Sequence, residues 1–150
     1  LQSLLPDQPV ANYAGGGFGT VHQWLMLRDA NNAQTLIPEN LQKQLQGGHV
    51  LLGHADYYLK RNVAAPSRLR TFNPNCGTFQ QQLKRQPALA KAYTHPRAAL
   101  INGSLTVSQI PLFKEHRGED PGREQQIRVT TALVDAILQE IEVQVVHSGH

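Results

Sequence analysis

The string Asn75-Cys76-Gly77-Thr78-Phe79 places the chain's single cysteine at the start of a segment with helical register, continued by Leu83. A thiol at a helix N-terminus faces unpaired backbone N–H groups and the positive end of the helix dipole. Both lower its pKa and favour the nucleophilic thiolate. Arg68 and Arg70 add to that field if the intervening loop brings them near. A thiolate hydrolase also needs a base, supplied by a histidine from elsewhere in the chain. His22, on a predicted strand after the glycine-rich Gly15–Gly19, is the first choice, and His54 or His49 on the next predicted strand would orient it. The alternative is a cysteine that only packs at a helix start, as free cysteines commonly do.

The segment NCGTFQQQL resembles the nucleophile segment of circularly permuted papain-like thiol hydrolases, the lecithin retinol acyltransferase-like and PPPDE-like proteins. In that group the segment reads roughly N-C-x-[HT]-F followed by a helix, and the catalytic histidine precedes the cysteine on a strand. The order His22…Cys76 is the same here. The resemblance implies Cys76 as nucleophile, His22 as general base and His54 as the second polar member.

Charge offers a second, independent lead. The formal net charge is +3, but it is unevenly laid out. Between Asp56 and Glu115 every charged residue is cationic: Lys60, Arg61, Arg68, Arg70, Lys84, Arg85, Lys91, Arg97 and Lys114. The carboxylates then crowd into 115–142. A cationic stretch with no local partner attracts phosphate, nucleic acid or an acidic partner, unless the acidic C-terminal third folds back to neutralise it. Tyr57, Tyr58, Phe72, Phe79, Tyr93 and Phe113 are interleaved with these cations, a composition that suits single-stranded nucleic acid. Such tyrosines serve equally as core or sheet surface, and no RNP string, zinc-finger spacing or helix-turn-helix pattern accompanies them.

The 7 histidines show no ligand spacing. His49 and His54 are wrongly spaced for one helix face or one strand face, and no HExxH string occurs. No metal and no cofactor is expected. The histidines can instead serve a metal-free nuclease, with His22, His49, His54 or His116 as acid and base and Lys or Arg stabilising phosphorane charge. His95 is set aside because it precedes Pro96. The glycines before Thr20 precede a strand rather than a helix, so they do not read as a phosphate loop.

The elements that must position these groups are read as follows. Residues 1–12 form an extended arm, Thr20–Arg28 alternates like a strand, and Pro38 opens a helix to 46. His49–Leu59 reads as a strand, 61–75 as a long loop, and Cys76 or Thr78 starts a helix to about Arg85, resumed after Pro87 and closed by Pro96. Asn102-Gly103 joins Ala98–Ile101 to Leu105–Ile110 as a hairpin. Residues 114–123 are a polar loop. A helix over 124–141 carries Ile127, Leu133 or Val134, Ile137, Leu138 and Ile141 on one stripe, and Glu142–Val146 is a last strand. The expected fold is α+β, one domain over 1–150, with a mainly antiparallel sheet and two to three helices.

The leading functional expectation is a small thiol hydrolase or acyltransferase acting on an amide or ester of an anionic small molecule, peptide or acylated substrate. Its catalytic residues would be Cys76, His22 and His54, with Arg68, Arg70, Lys84 and Arg85 binding the anion. The alternative is a basic nucleic-acid-binding or metal-free nuclease domain using residues 57–114, and a third is a structural or assembly subunit. No apolar run is long enough to span a membrane. With no signal peptide in the sequence, a soluble, cytoplasmic protein is expected.

Overall fold

Helix α1 (Thr20–Asn31) begins where the backbone carbonyl of Gly19 accepts from His22 N at 3.0 Å and Gln23 N at 3.4 Å. In the computed structural model, residues 17–31, 52–71, 81, 84–88, 93–112 and 116–147 are described. The expected strand over Thr20–Arg28 is therefore a helix. Val21 is buried, and Trp24 and Leu25 pack on the core beside it. These are i, i+3 and i+4, the spacing of one helical face. The apparent alternation came from β-prone Val21 and Trp24, whose helical burial overrides their local preference.

A second correction concerns 49–71. Residues 52–55 are irregular, and helices α2 (Tyr58–Asn62) and α3 (Pro66–Thr71) replace the expected end of a strand and the first part of a long loop. The join between the helices is tight. Ala64 takes φ 46, Ala65 N donates to Lys60 O at 2.9 Å, and Ala64 N donates to Arg61 O at 3.1 Å. That pair of bonds is a Schellman ending, with alanine where glycine is usual. Pro66 follows at the first position of α3, where its missing N–H costs nothing.

Strands β1 (Thr94–Ile101) and β2 (Ser104–Pro111) form an antiparallel hairpin, with Ile101 opposite Ser104 and Thr94 opposite Pro111. Asn102 and Gly103 both have positive φ, 51 and 79, as a two-residue primed turn requires. The hairpin is as expected but begins earlier. Pro96 lies inside β1 rather than closing a helix.

Helix α4 (Arg123–His147) runs straight through the segment expected as a final strand. Its buried stripe is Gln126, Val129, Thr130, Leu133 and Ile137, while Ile127 and Leu138 are 45% and 51% exposed. Leu133 and Ile137 therefore face inward as expected, but the stripe is rotated away from Ile127 and Leu138. The core gathers Val21, Val63, Ala65, Ala98, Val129 and Leu133, with Trp24, Leu25, Leu100, Leu105 and Val107 packed on it. This is an α+β arrangement in which α4 lies against α1, α2 and the hairpin. Among the described residues, no helix is long and apolar enough to cross a membrane. The expected arm at 1–12, the helix at 38–46 and the helix start at Cys76 lie outside the described residues.

Buried Asn62 ties this packing together. Its Oδ1 accepts from Val21 N at 3.1 Å, and its Nδ2 donates to Thr130 Oγ1 at 2.9 Å. One amide thus satisfies a first-turn donor of α1 and fixes α2 to α4.

Candidate acid–base and anion site

His22, in the first turn of α1, meets His95, the second residue of β1. Their rings stand edge to face at 87°, with centroids 5.0 Å apart. Phe18 stacks flat on the His22 ring, at 4.7 Å and 7°. The strand's alternation groups His95 with exposed Arg97 and Ile101, yet His95 is only 4% exposed.

The proton on each imidazole follows from its Nδ1 partner. Gly19 N, a donor only, bonds His22 Nδ1 at 3.1 Å. That nitrogen is therefore the lone-pair one, and neutral His22 carries its proton on Nε2. His95 Nδ1 lies 2.8 Å from Pro96 O, an acceptor only. His95 therefore holds its proton on Nδ1, and its Nε2 is the basic nitrogen. The neighbouring imidazoles have opposite assignments, one a donor at Nε2 and the other an acceptor.

Two arginines set the field. Burial, then the charges of His95 and Arg61, pull His22 down to about 4. Burial also lowers His95, partly opposed by its bond to Pro96 O and reinforced by Arg68 and Arg61. Arg68 is itself lowered by burial and by Arg61. Both imidazoles are thus neutral near pH 7. Arg61 Nη1 donates to Phe18 O at 2.8 Å. A β-carbon at Gly17 would lie 3.9 Å from Arg68 Nη2, so Gly17 sits beside that guanidinium.

The expected site residues separate. His22 belongs to the cluster, but from a helix and not a strand. His54 is exposed and packs edge to face on Tyr58 at 5.9 Å. Arg68 joins the cluster through its charge on His95, whereas Arg70 Nη1 donates to His116 O at 3.1 Å. Lys84 and Arg85 are exposed. Cys76 and His49 lie outside the described residues. The acidic C-terminal third returns to the basic stretch at one cation, through Lys60–Asp120 at 3.0 Å, whereas Arg123–Asp56 at 3.3 Å joins a C-terminal cation to the acid that precedes the stretch. His95 and Arg61 are the members that sequence reasoning missed; a buried pair formed between a helix and a strand has no sequence spacing.

Among the described residues, no group of three or more His, Cys, Asp or Glu converges. Comparison with known proteins finds no matching family model, no matching curated relative and no matching solved structure.

Proposed function

We propose that the chain cleaves RNA phosphodiester bonds by acid–base chemistry centred on His95. The observation that carries this reading is the His22–His95 pair, oppositely protonated and flanked by Arg61 and Arg68. An anion is drawn to the arginines, and His95 Nε2 is the base; that nitrogen is covered in the free chain, so the bound strand must open the cluster to reach it. A histidine base acts most directly on a substrate that brings its own nucleophile, and the ribose 2′-hydroxyl is one. The 2′-hydroxyl proton passes to His95, the 2′-oxygen attacks phosphorus, and the P–O5′ bond breaks. The leaving 5′-oxygen takes a proton from solvent. Neutral His22 donates from Nε2 to a phosphoryl oxygen while Arg61 and Arg68 stabilise the charge developing there. Cys76, expected as a nucleophile, lies outside the described residues.

The test is incubation with end-labelled RNA and with DNA of the same sequence, both in EDTA. RNA fragments ending in 2′,3′-cyclic phosphate are expected, with DNA left intact. His95→Ala should lower the rate by roughly 10²–10⁴-fold. Absence of cleavage, or full activity in His95→Ala, overturns the reading.

A further inference from the structure

We infer that Tyr57 and Arg61 form a stacking platform for a base of single-stranded nucleic acid, next to the phosphate position at His22. This rests on the reading that the His–Arg cluster takes a phosphate. Arg61 Cζ lies 4.3 Å from the Tyr57 ring centroid and 5.5 Å from that of Tyr58. The same guanidinium bonds the carbonyl of Phe18, whose ring stacks on His22. Arg61 is therefore the bridge between the imidazole pair and the tyrosines. Tyr58 holds Tyr57 edge to face, with centroids 4.8 Å apart at 80°.

This geometry leaves Tyr57 57% exposed, although its ring is fixed by two neighbours. A rigid aromatic surface backed by a cation is what an unpaired base stacks on, and the adjoining arginine serves the phosphate of the same strand. An apolar peptide would meet a guanidinium and a phenol hydroxyl there. In a duplex the base faces are covered by their neighbours and cannot reach the ring.

The experiment measures binding at low salt by fluorescence anisotropy, using deoxyoligonucleotides that lack the 2′-hydroxyl. Three probes are compared: a single-stranded thymidine oligomer, an abasic oligomer of equal length, and the thymidine strand in duplex. The thymidine strand should bind roughly 5- to 150-fold more tightly than the abasic one. Tyr57→Ala should erase that difference while leaving abasic binding unchanged, and Tyr57→Phe should preserve it. Equal binding of the thymidine and abasic strands overturns the platform and leaves the phosphate site standing. Duplex binding as tight as single-strand binding also overturns it. Failure of every probe to bind removes the phosphate reading together with the platform.

Discussion

His22 and His95 face each other at 5.0 Å, one accepting from a backbone N–H and the other donating to a backbone carbonyl. Each imidazole is oriented by a backbone group at Nδ1, and burial disfavours its charged form. The pair therefore stays neutral through most of the physiological range, and protonating His22 at Nδ1 would break its bond to Gly19.

That neutrality predicts an acid-sensitive fold. His22 is pulled from 6.5 to about 4 in the folded chain, and His95 is lowered as well. Between those values the unfolded chain binds more protons than the folded one. The stabilisation is therefore complete above about pH 6.5 and is lost as pH falls toward 4. Allowing for solvent screening of the partly exposed ring, His22 accounts for about 1–2 kcal/mol of that loss. Urea midpoints measured across this window should fall. His22→Asn, whose Oδ1 still accepts from Gly19 N, should flatten the slope.

Asp120 titrates in a different window. Its carboxylate takes two bonds from Ser67, from N at 2.9 Å and from Oγ at 2.5 Å, and pairs with Lys60 at 3.0 Å. Chiefly through the Ser67 bonds, the carboxyl is held at about 2, against an ordinary 3.8. Its contribution is present above 3.8 and lost between 3.8 and 2. The described part of the polar loop, 116–122, is thus fastened to α3 at Asp120, and Arg70 of the same helix holds the carbonyls of His116 and Gly118. Asp120→Asn should cost about 1–2 kcal/mol near neutral pH. It should also raise amide exchange at Ser67, with no change in slope between pH 6.5 and 4. An unaltered Ser67 exchange rate would contradict the fastening.

Asn62 is 0% exposed and its side chain bonds both Val21 N and Thr130 Oγ1. Asn62→Ala removes an acceptor from a buried N–H, a donor from a buried hydroxyl, and the volume between them. A loss of about 2–4 kcal/mol in urea denaturation is expected. Thr130→Val, which removes only one of the two bonds, should cost less.

The hairpin was legible because its signal is local: Asn102-Gly103 specifies the turn and the pairing follows from it. Helix α4 was legible in existence but only partly in facing: Leu133 and Ile137 are buried as expected, whereas Ile127 and Leu138 are exposed. Gln126 and Thr130 sit on its buried stripe because Pro121 O accepts from Gln126 Nε2 at 2.6 Å and Asn62 bonds Thr130. Those partners are distant or irregular, so polarity at 126 and 130 misplaced the stripe. Helix α1 read as a strand for a related reason: the face formed by Val21, Trp24 and Leu25 has meaning only beside α4. In the candidate site, His22 was legible as a histidine next to a glycine-rich turn. His95 was hidden because its burial comes from the contact with α1, which no spacing within β1 encodes.

Gly19 links the packing to the candidate chemistry. A β-carbon there would lie 2.7 Å from Asn62 Oδ1 and 3.0 Å from Arg61 Cβ. Gly19→Ala must therefore either push the Asn62 amide off Val21 N or lift the start of α1 away from α2. Lifting the helix also strains the bond from Gly19 N to His22 Nδ1, which holds that imidazole in its tautomer. A stability loss of about 1–3 kcal/mol is expected, with a changed ¹⁵N signature at His22 and a slower RNA cleavage rate. A double-mutant cycle separates the two routes. If the Asn62 amide is the main obstacle, truncating it makes room for the new methyl. The combined cost of Gly19→Ala and Asn62→Ala then falls short of their sum by at least about 0.5 kcal/mol. Strict additivity would place the strain at Arg61 instead, and the cleavage defect would then track the arginine that joins the two halves of the site.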